Sequence, residues 1–454
     1  MVTRRDFLRL AGMGAAAMAL PLPDLLAEEQ RKPNVIVILA DDQGYAELGC
    51  QGCKDVPTPN IDSIAKNGVR CTSGYVSCPV CSPTRAGLVT GRYQQRFGHE
   101  HNPGKELDRK NWGLPLDQKT IADYMKSEGY ATGIVGKWHL GDNKQFHPNK
   151  RGFDEYFGFI GGAHPYLNPT LDSFNTIQRD GKPYDEKEYL TYAFGREAVS
   201  FIDRHKEKPF FLYLAFNAVH APLEGAIRDA KAFPEIEDPK RRTFAKMLMA
   251  MDNAVGSVLD KVREAGLEND TLIFFLSDNG GPTPSTTSRN DPFKGYKTQV
   301  HEGGIRIPFM VQWKGHLPAG KVYDKPVISL DILPTAVAVA GGKAAANVDG
   351  SDLMPYLGGE KQGSPHHALY WRYDKQSAIR MGDWKLARHE VYGSRLFNLA
   401  DDPGEANDLF SKLPDKAKEL QAAWDKWNSK NVPALWQSGP HPPWTETFWQ
   451  EEGS

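Results

Sequence analysis

The stretch Asn34-Val35-Ile36-Val37-Ile38-Leu39-Ala40, closed off by Pro33 and Asp41, limits the possible folds more than any other part of the chain. An apolar run without polar alternation suits a strand buried on both faces, as at the centre of a parallel sheet covered by helices. Asp41 and Asp42 follow at its C-terminal end, the edge where open α/β sheets hold their ligands. The pattern recurs downstream. A helix is expected from Asn60 as N-cap to Gly68, another over Thr120 to Glu128 stopped by Gly129, then a strand over Tyr130 to Val135 leading into Gly136-Lys137-Trp138-His139-Leu140-Gly141. A helix near Tyr192 to His205, a strand over Phe210 to Phe216 and a long helix over Thr243 to Ala265 come next. The strand Thr271 to Leu276 delivers Ser277-Asp278-Asn279-Gly280-Gly281. Alternating strands and helices predict an α/β fold, a large and mostly parallel sheet sandwiched by helices, with each polar cluster just after a strand.

Past Gly342 the character changes. Tyr370 to Tyr373, Ser377 to Arg388 and Arg395 to Leu399 read as short antiparallel strands, and Asp415 to Asn428 as a helix. The domain plan is therefore a catalytic domain over 33–345, a smaller C-terminal α+β subdomain over 346–430, and a Pro- and Trp-rich tail over 431–454 that wraps the surface. A chain of 454 residues is long enough for such a core, and 55 basic against 57 acidic residues leave a net charge of -2. That balance gives no reason to expect nucleic acid as a partner, so any anion selectivity belongs to a local pocket.

Thr3-Arg4-Arg5-Asp6-Phe7-Leu8-Arg9 and the uncharged run Leu10 to Pro23 resemble a twin-arginine export signal over 1–27, with processing near Ala27. The run is too short to span a bilayer, which takes about 20 apolar residues. No other segment is apolar enough to do so, and no membrane association is expected after processing. The expected compartment is periplasmic or extracellular, with the twin-arginine machinery as a transient partner. Five cysteines, Cys50, Cys53, Cys71, Cys78 and Cys81, make an odd count for an exported protein. Cys50 and Cys53 read as a loop disulfide or as free thiols, since no second pair stands at a zinc-binding distance.

Asp41, Asp42 and Asp278 bring three carboxylates together if their strands are neighbours. Two like charges 4 Å apart repel by about 4 kcal/mol at an effective dielectric of 20, so such a cluster needs a cation. Asn279 adds an amide oxygen, and an all-oxygen set suits calcium or magnesium better than zinc. Arg85, Lys137, His139, His220, Lys297 and Arg306 form a basic set. Taken singly, an Asp pair after a strand is a loop or helix cap, a lysine is solvated, and a histidine is structural. Convergence at strand ends is what favours chemistry. Cys81 precedes Pro83 at the start of a short helix, where unpaired backbone N–H groups favour an anion.

The twelve residues Cys81 to Arg92, CSPTRAGLVTGR, resemble the signature of the type I sulfatases, Cys-x-Pro-Ser/Thr-Arg followed by Thr-Gly-Arg. The resemblance runs from about Pro33 to Leu409 through GKWHLG, Ala218-Val219-His220-Ala221-Pro222, KTQVHEGGIRIP, GDWKL and LFNLADDPGEANDL. For KTQVHEGGIRIP the spacing to the Glu-Gly-Gly run matches Lys297 and not Lys294. The resemblance implies an alkaline phosphatase-like fold. It also implies that a maturation enzyme converts Cys81 to formylglycine, whose hydrate attacks sulfur. Calcium, in preference to magnesium, is then held by Asp41, Asp42, Asp278, Asn279 and an oxygen of the modified residue 81. His220 or Lys297 protonates the leaving oxygen, His139 serves as base for the second hydroxyl, and Arg85 and Lys137 hold the modified residue.

These readings give an exported, calcium-dependent sulfuric ester hydrolase acting on a sulfated sugar or polysaccharide. His99, His164 and Arg372 are the candidate substrate contacts, with His101, Asn102, Tyr166 and Trp371 beside them. One rival is a phosphonate or phosphodiester hydrolase of the same superfamily. Another is a sulfated-glycan binding protein with a dead site, and a third is a thiol enzyme using Cys81 itself.

Overall fold

β1 (Asn34–Ala40) is the strand that the apolar run predicts, and all of its residues are buried. The computed structural model describes residues 31–103, 111–169, 175–437, 439 and 442–451. The segment read as an export signal lies outside the described residues. After β1 come β2 (Val69–Cys71), β3 (Gly74–Tyr75), β4 (Ala131–Lys137), β5 (Glu155–Phe159), β6 (Gln178–Arg179), β7 (Lys182–Pro183) and β8 (Phe210–Ala215). They are followed by β9 (Thr271–Ser277), β10 (Phe309–Gln312), β11 (Lys321–Tyr323) and β12 (Val327–Ile328). Ten of these form one sheet in the order β11-β2-β10-β9-β1-β8-β4-β5-β6-β7, while β3 and β12 pair separately. From β9 through β5 the pairing is parallel, and β10 opens an antiparallel flank.

Strand geometry sends alternate side chains to opposite faces. Val35, Val37 and Leu39 enter one core with Leu272, Phe274 and Leu276, whereas Ile36, Ile38 and Ala40 enter another with Ile273 and Phe275. The first core is covered by helices Cys81–Thr90, Ile121–Ser127 and Ile332–Val339, the second by Pro59–Lys66, Leu190–His205 and Pro239–Glu264. Burying both faces explains why β1 carries no polar alternation. Among the described residues no helix is long and apolar enough to cross a membrane.

Several boundaries move for local reasons. The first helix starts at Pro59, because Asn60 does not cap it but donates to Asp252 Oδ2 at 2.8 Å. The long helix starts at Pro239, where the Asp238 side chain accepts from Lys240 N–H. The expected strand Ser377 to Arg388 is two strands broken at Gly382, whose φ of 59° makes the turn. The C-terminal sheet is thus β13 (Ala368–Tyr373), β14 (Gln376–Met381), β15 (Trp384–His389) and β16 (Gly393–Asn398), all antiparallel. Helix Pro414–Asn428 packs on it through Leu420, Trp424 and Trp427. All five cysteines are free, so the disulfide alternative for Cys50 and Cys53 is set aside. Among the described residues past 431, Val432 N–H donates to Gln95 O and Leu435 N–H to Gly98 O, and Trp436 and Trp449 are buried.

Candidate active site

Register brings the polar strand ends together. Ala40 pairs with Ser277 and Leu39 with Ala215, so Asp41, Asp278 and the Phe216–His220 turn leave the sheet side by side. Asp41 N–H donates to Ala218 O, and Val219 N–H donates to Asp41 O. Helix Cys81–Thr90 begins at the same edge, is fully buried, and stops at Gly91 with φ 64°. Its close approach depends on Gly87, where an added Cβ would lie 2.6 Å from Ser77 Oγ.

The signature side chains have separate tasks. Arg85 places Nε and NH2 3.0 and 2.8 Å from Asp278 Oδ2 and donates from NH1 to Lys137 O at 3.1 Å. Thr84 Oγ1 donates to Cys78 O at 2.7 Å. Ser82 Oγ donates to His139 O at 2.6 Å, so its contact with His99 Nε2 at 2.7 Å must use a hydrogen on the imidazole. Burial pushes His99 down to about 3, which keeps it a neutral donor.

Cys81 is the first residue of this helix, with Sγ 3.8 Å from Asp41 Oδ1 and 3.2 Å from Lys297 Nζ. Ligand-capable atoms of Asp41, Asp42, Cys81 and His220 lie within 4.8 Å of one another. Lys137 Nζ lies 2.5 Å from Asp41 Oδ2, and Lys297 Nζ 2.6 Å from Asp42 Oδ1. Asn279 Nδ2 donates to Asp42 Oδ1 at 2.7 Å, while its Oδ1 is buried without a hydrogen-bond partner. Asp278 turns Oδ2 to Arg85, and its Oδ1 accepts from Asp42 N–H at 3.2 Å. Three carboxylates and an orphaned amide oxygen fit a hard divalent cation, whose charge would leave a net positive site alongside Arg85, Lys137 and Lys297.

Burial raises the Asp41 carboxyl, but Lys137, His220 and Arg85 more than offset it and the net direction is down. For Asp42 burial is likewise outweighed, by Lys297 and His220. Burial depresses Lys297, yet Asp42 and its neighbours hold it well above the usual lysine range. Burial, followed by Lys137 and Arg85, holds His139 well below the usual histidine range, so its imidazole is neutral. The Cys81 thiol is pushed up to about 11, by burial that Lys137 and Lys297 only partly counter. His220 Nδ1 lies 2.6 Å from Ala221 O, a contact that needs a hydrogen on Nδ1, and Nε2 faces Asp42 Oδ2 at 3.6 Å.

Asp42 and His139 have φ of 60° and 59°. Such left-handed backbone is sparsely populated outside glycine and persists where neighbours enforce it. At Asp42 the enforcement comes from two serines that the sequence reading did not single out. Ser288 Oγ donates to Asp42 O and accepts from Gly44 N–H, and Ser277 Oγ accepts from Gln43 N–H. More than 200 residues separate these partners, and no local signal marks them.

The candidate substrate contacts are engaged inside the protein. His99 serves Ser82 and packs edge-on against Trp436 at 4.8 Å. His164 is buried, with Nδ1 2.8 Å from Pro165 O. Arg372 is taken up by Glu100, with Nε 2.8 Å from Oε2. Asn102 Oδ1 accepts from Ser82 N–H, Tyr166 OH donates toward the His220 turn, and Trp371 is a core residue. Arg306 lies away from the cluster, donating to Thr72 O and to Glu302.

A mostly parallel sheet flanked by helices, with buried carboxylates, lysines and a cysteine at a helix start gathered at its C-terminal edge, defines a hydrolase of the alkaline phosphatase-like superfamily. Residues 33–342 match the sulfatase family model, and 295–428 match the model described as N-sulphoglucosamine sulphohydrolase, C-terminal. The chain belongs to the sulfatase family and is a sulfuric ester hydrolase. It is 34% identical over 405 residues to N-acetylgalactosamine-6-sulfatase of Canis lupus familiaris, covering 83% of this chain and 74% of that one. It is 34% identical over 451 residues to arylsulfatase A of Bos taurus, covering 86% of each. The solved structure of Ps i-CgsB in complex with k-i-k-neocarrahexaose is similar at a TM-score of 0.85 and 38% identity, over 93% of this chain and 98% of that one.

Proposed function

We propose that the chain removes sulfate from a sulfated sugar or polysaccharide, with residue 81 acting as formylglycine and calcium held beside it. The observation that carries this reading is the position of Cys81 at a buried helix start, 3.2 Å from Lys297 Nζ and inside the cluster with Asp41, Asp42 and His220. When present, the formylglycine hydrate supplies the nucleophilic oxygen and calcium supplies charge stabilisation. Asp41, Asp42, Asp278 and Asn279 would hold the cation. Lys137 and Arg85 are fixed by Asp41 and Asp278, so they face an incoming sulfate without reorganising.

Lys297 stays protonated and can give its proton to the leaving oxygen. His220 can do the same from Nε2 only as imidazolium, since Nδ1 already carries the hydrogen facing Ala221 O. The neutral His139 can accept a proton when the aldehyde is restored. General acid catalysis contributes about 10²–10⁴-fold, so most of the stabilisation comes from fixed positive charge and positioning. A sulfated carbohydrate is the proposed substrate because relatives include N-acetylgalactosamine-6-sulfatase and the similar solved structure holds k-i-k-neocarrahexaose.

Burial of Cys81 supports modification before folding is complete, and hence before twin-arginine export to the periplasm or beyond. The test is peptide mass spectrometry of the tryptic fragment Cys71 to Arg85 from protein made in its own host. An aldehyde at position 81, with release of sulfate from sulfated oligosaccharides and a preference for aryl sulfate over aryl phosphodiester, is the expected result. An unmodified thiol in fully active protein overturns it.

A further inference from the structure

Lys297 reaches Asp42 and Cys81 from a backbone held in an unusual way. Thr298, its neighbour, has φ of 77°, a region that a β-branched residue enters only when its surroundings enforce it. Its N–H donates to Pro79 O at 2.9 Å, two residues before Cys81. Its carbonyl accepts from Gln376 Nε2 at 2.9 Å. The Gln376 amide is itself oriented, since Oε1 accepts from Val300 N–H at 3.2 Å and from the Trp449 indole N–H at 3.0 Å.

The tail completes the grip. Thr298 Oγ1 and Thr445 Oγ1 are 3.0 Å apart, and Gln299 Nε2 donates to the carbonyls of Trp444 and Thr445 at 3.0 Å each. Trp449 is fully buried and packs on His301 at 4.7 Å. The segment over 444–449 thus lies across the segment over 297–301, although more than 140 residues separate them in the chain.

We propose that Thr445, Trp449 and Gln376 are positioning residues for Lys297, holding Thr298 in the left-handed conformation that aims the lysine at Asp42 and residue 81. A lysine side chain is flexible, so the placement of its backbone decides where Nζ can dwell. None of the three touches a reacting group. The proposal rests on the reading of Lys297 as part of the sulfatase reaction.

Thr445→Val removes the hydroxyl without changing shape. Gln376→Glu keeps an acceptor for Val300 and Trp449 but has no donor for the Thr298 carbonyl. Measured on an aryl sulfate and normalised to aldehyde content at position 81, each should lower kcat about tenfold with KM within about twofold, the size of loss that a small misplacement produces. Thr445→Ser should retain the wild-type rate. In a Lys297→Ala background the same substitutions should cost less than about twofold, because their effect runs through the missing amine. Wild-type kcat in both variants, or an undiminished tenfold loss without Lys297, overturns the proposal. Full activity of Lys297→Ala alone is a separate result and would overturn the role of Lys297 itself.

Discussion

Arg85 and Asp278 are 193 residues apart in sequence, yet both are fully buried and the guanidinium sets two nitrogens on one carboxylate oxygen, at 3.0 and 2.8 Å. This contact ties the signature helix to the end of β9 and keeps both charges compensated. Removing one partner leaves the other buried without its ion-pair partner, which costs about 3–5 kcal/mol. Arg85→Ala should therefore lower the urea midpoint as well as activity, while Arg85→Lys, which keeps the charge but loses the fork, should lose less stability. Unchanged unfolding curves for Arg85→Ala would show that Asp278 finds another partner.

The oxygen donors of Asp41, Asp42, Asp278 and Asn279 predict linkage between cation and stability. A ligand present at 100 times its Kd stabilises by about 2.7 kcal/mol. Chelation should lower both Tm and turnover, and calcium should restore them at lower concentration than magnesium. Asp42→Asn should shrink the calcium-dependent shift in Tm. A chelator-insensitive Tm and rate would argue against a cation at this edge.

His366 Nε2 lies 2.7 Å from the buried Asp331 Oδ1. Burial alone would depress this histidine, but the Asp331 carboxylate outweighs it and the net direction is up. A histidine raised in the folded state contributes stability that is complete below its unfolded value near 6.5 and is lost as pH rises through the folded value. Denaturant midpoints taken from pH 6 upward should fall across that window. His366→Gln should flatten this part of the profile, and an identical slope in the variant would refute the assignment.

Trp371 ties β13 of the C-terminal sheet to the end of β3. It is fully buried, its indole N–H donates to Val76 O at 2.7 Å, and its ring lies 5.4 Å from Tyr75. Trp371→Ala should cost about 3–5 kcal/mol, from the cavity and from a carbonyl left without a partner. If the C-terminal sheet unfolded independently, calorimetry of this variant would resolve two transitions; a single lowered transition is expected, because one core spans β1 and β13.

Much of this architecture was legible in local pattern. The apolar run of β1 announced two-sided burial, and the charged residues that follow β1 and β9 meet at one edge of the sheet. Cys81 and Arg85 of the signature, with Lys137, His220 and Lys297, are residues that the structure gathers at one edge. Boundaries slipped where a distant partner intervened, as when Asp252 took the Asn60 amide away from capping. The candidate sugar contacts His99 and Arg372 likewise have distant partners, Ser82 and Glu100. A histidine or arginine in a loop looks available until Ser82 or Glu100 is found against it.

The sequence by itself determined the succession of strands and helices, the class of chemistry and the identity of the charged groups, since periodicity, caps and motif residues are local properties. Only the tertiary structure decided which groups meet. The register of β1 with β8 and β9 aligned Asp41, Asp278 and His220, Arg85 found Asp278, and the tail settled over the Lys297 segment. Those pairings depend on side chains brought together across hundreds of residues by burial of a shared core, and no local period carries that information.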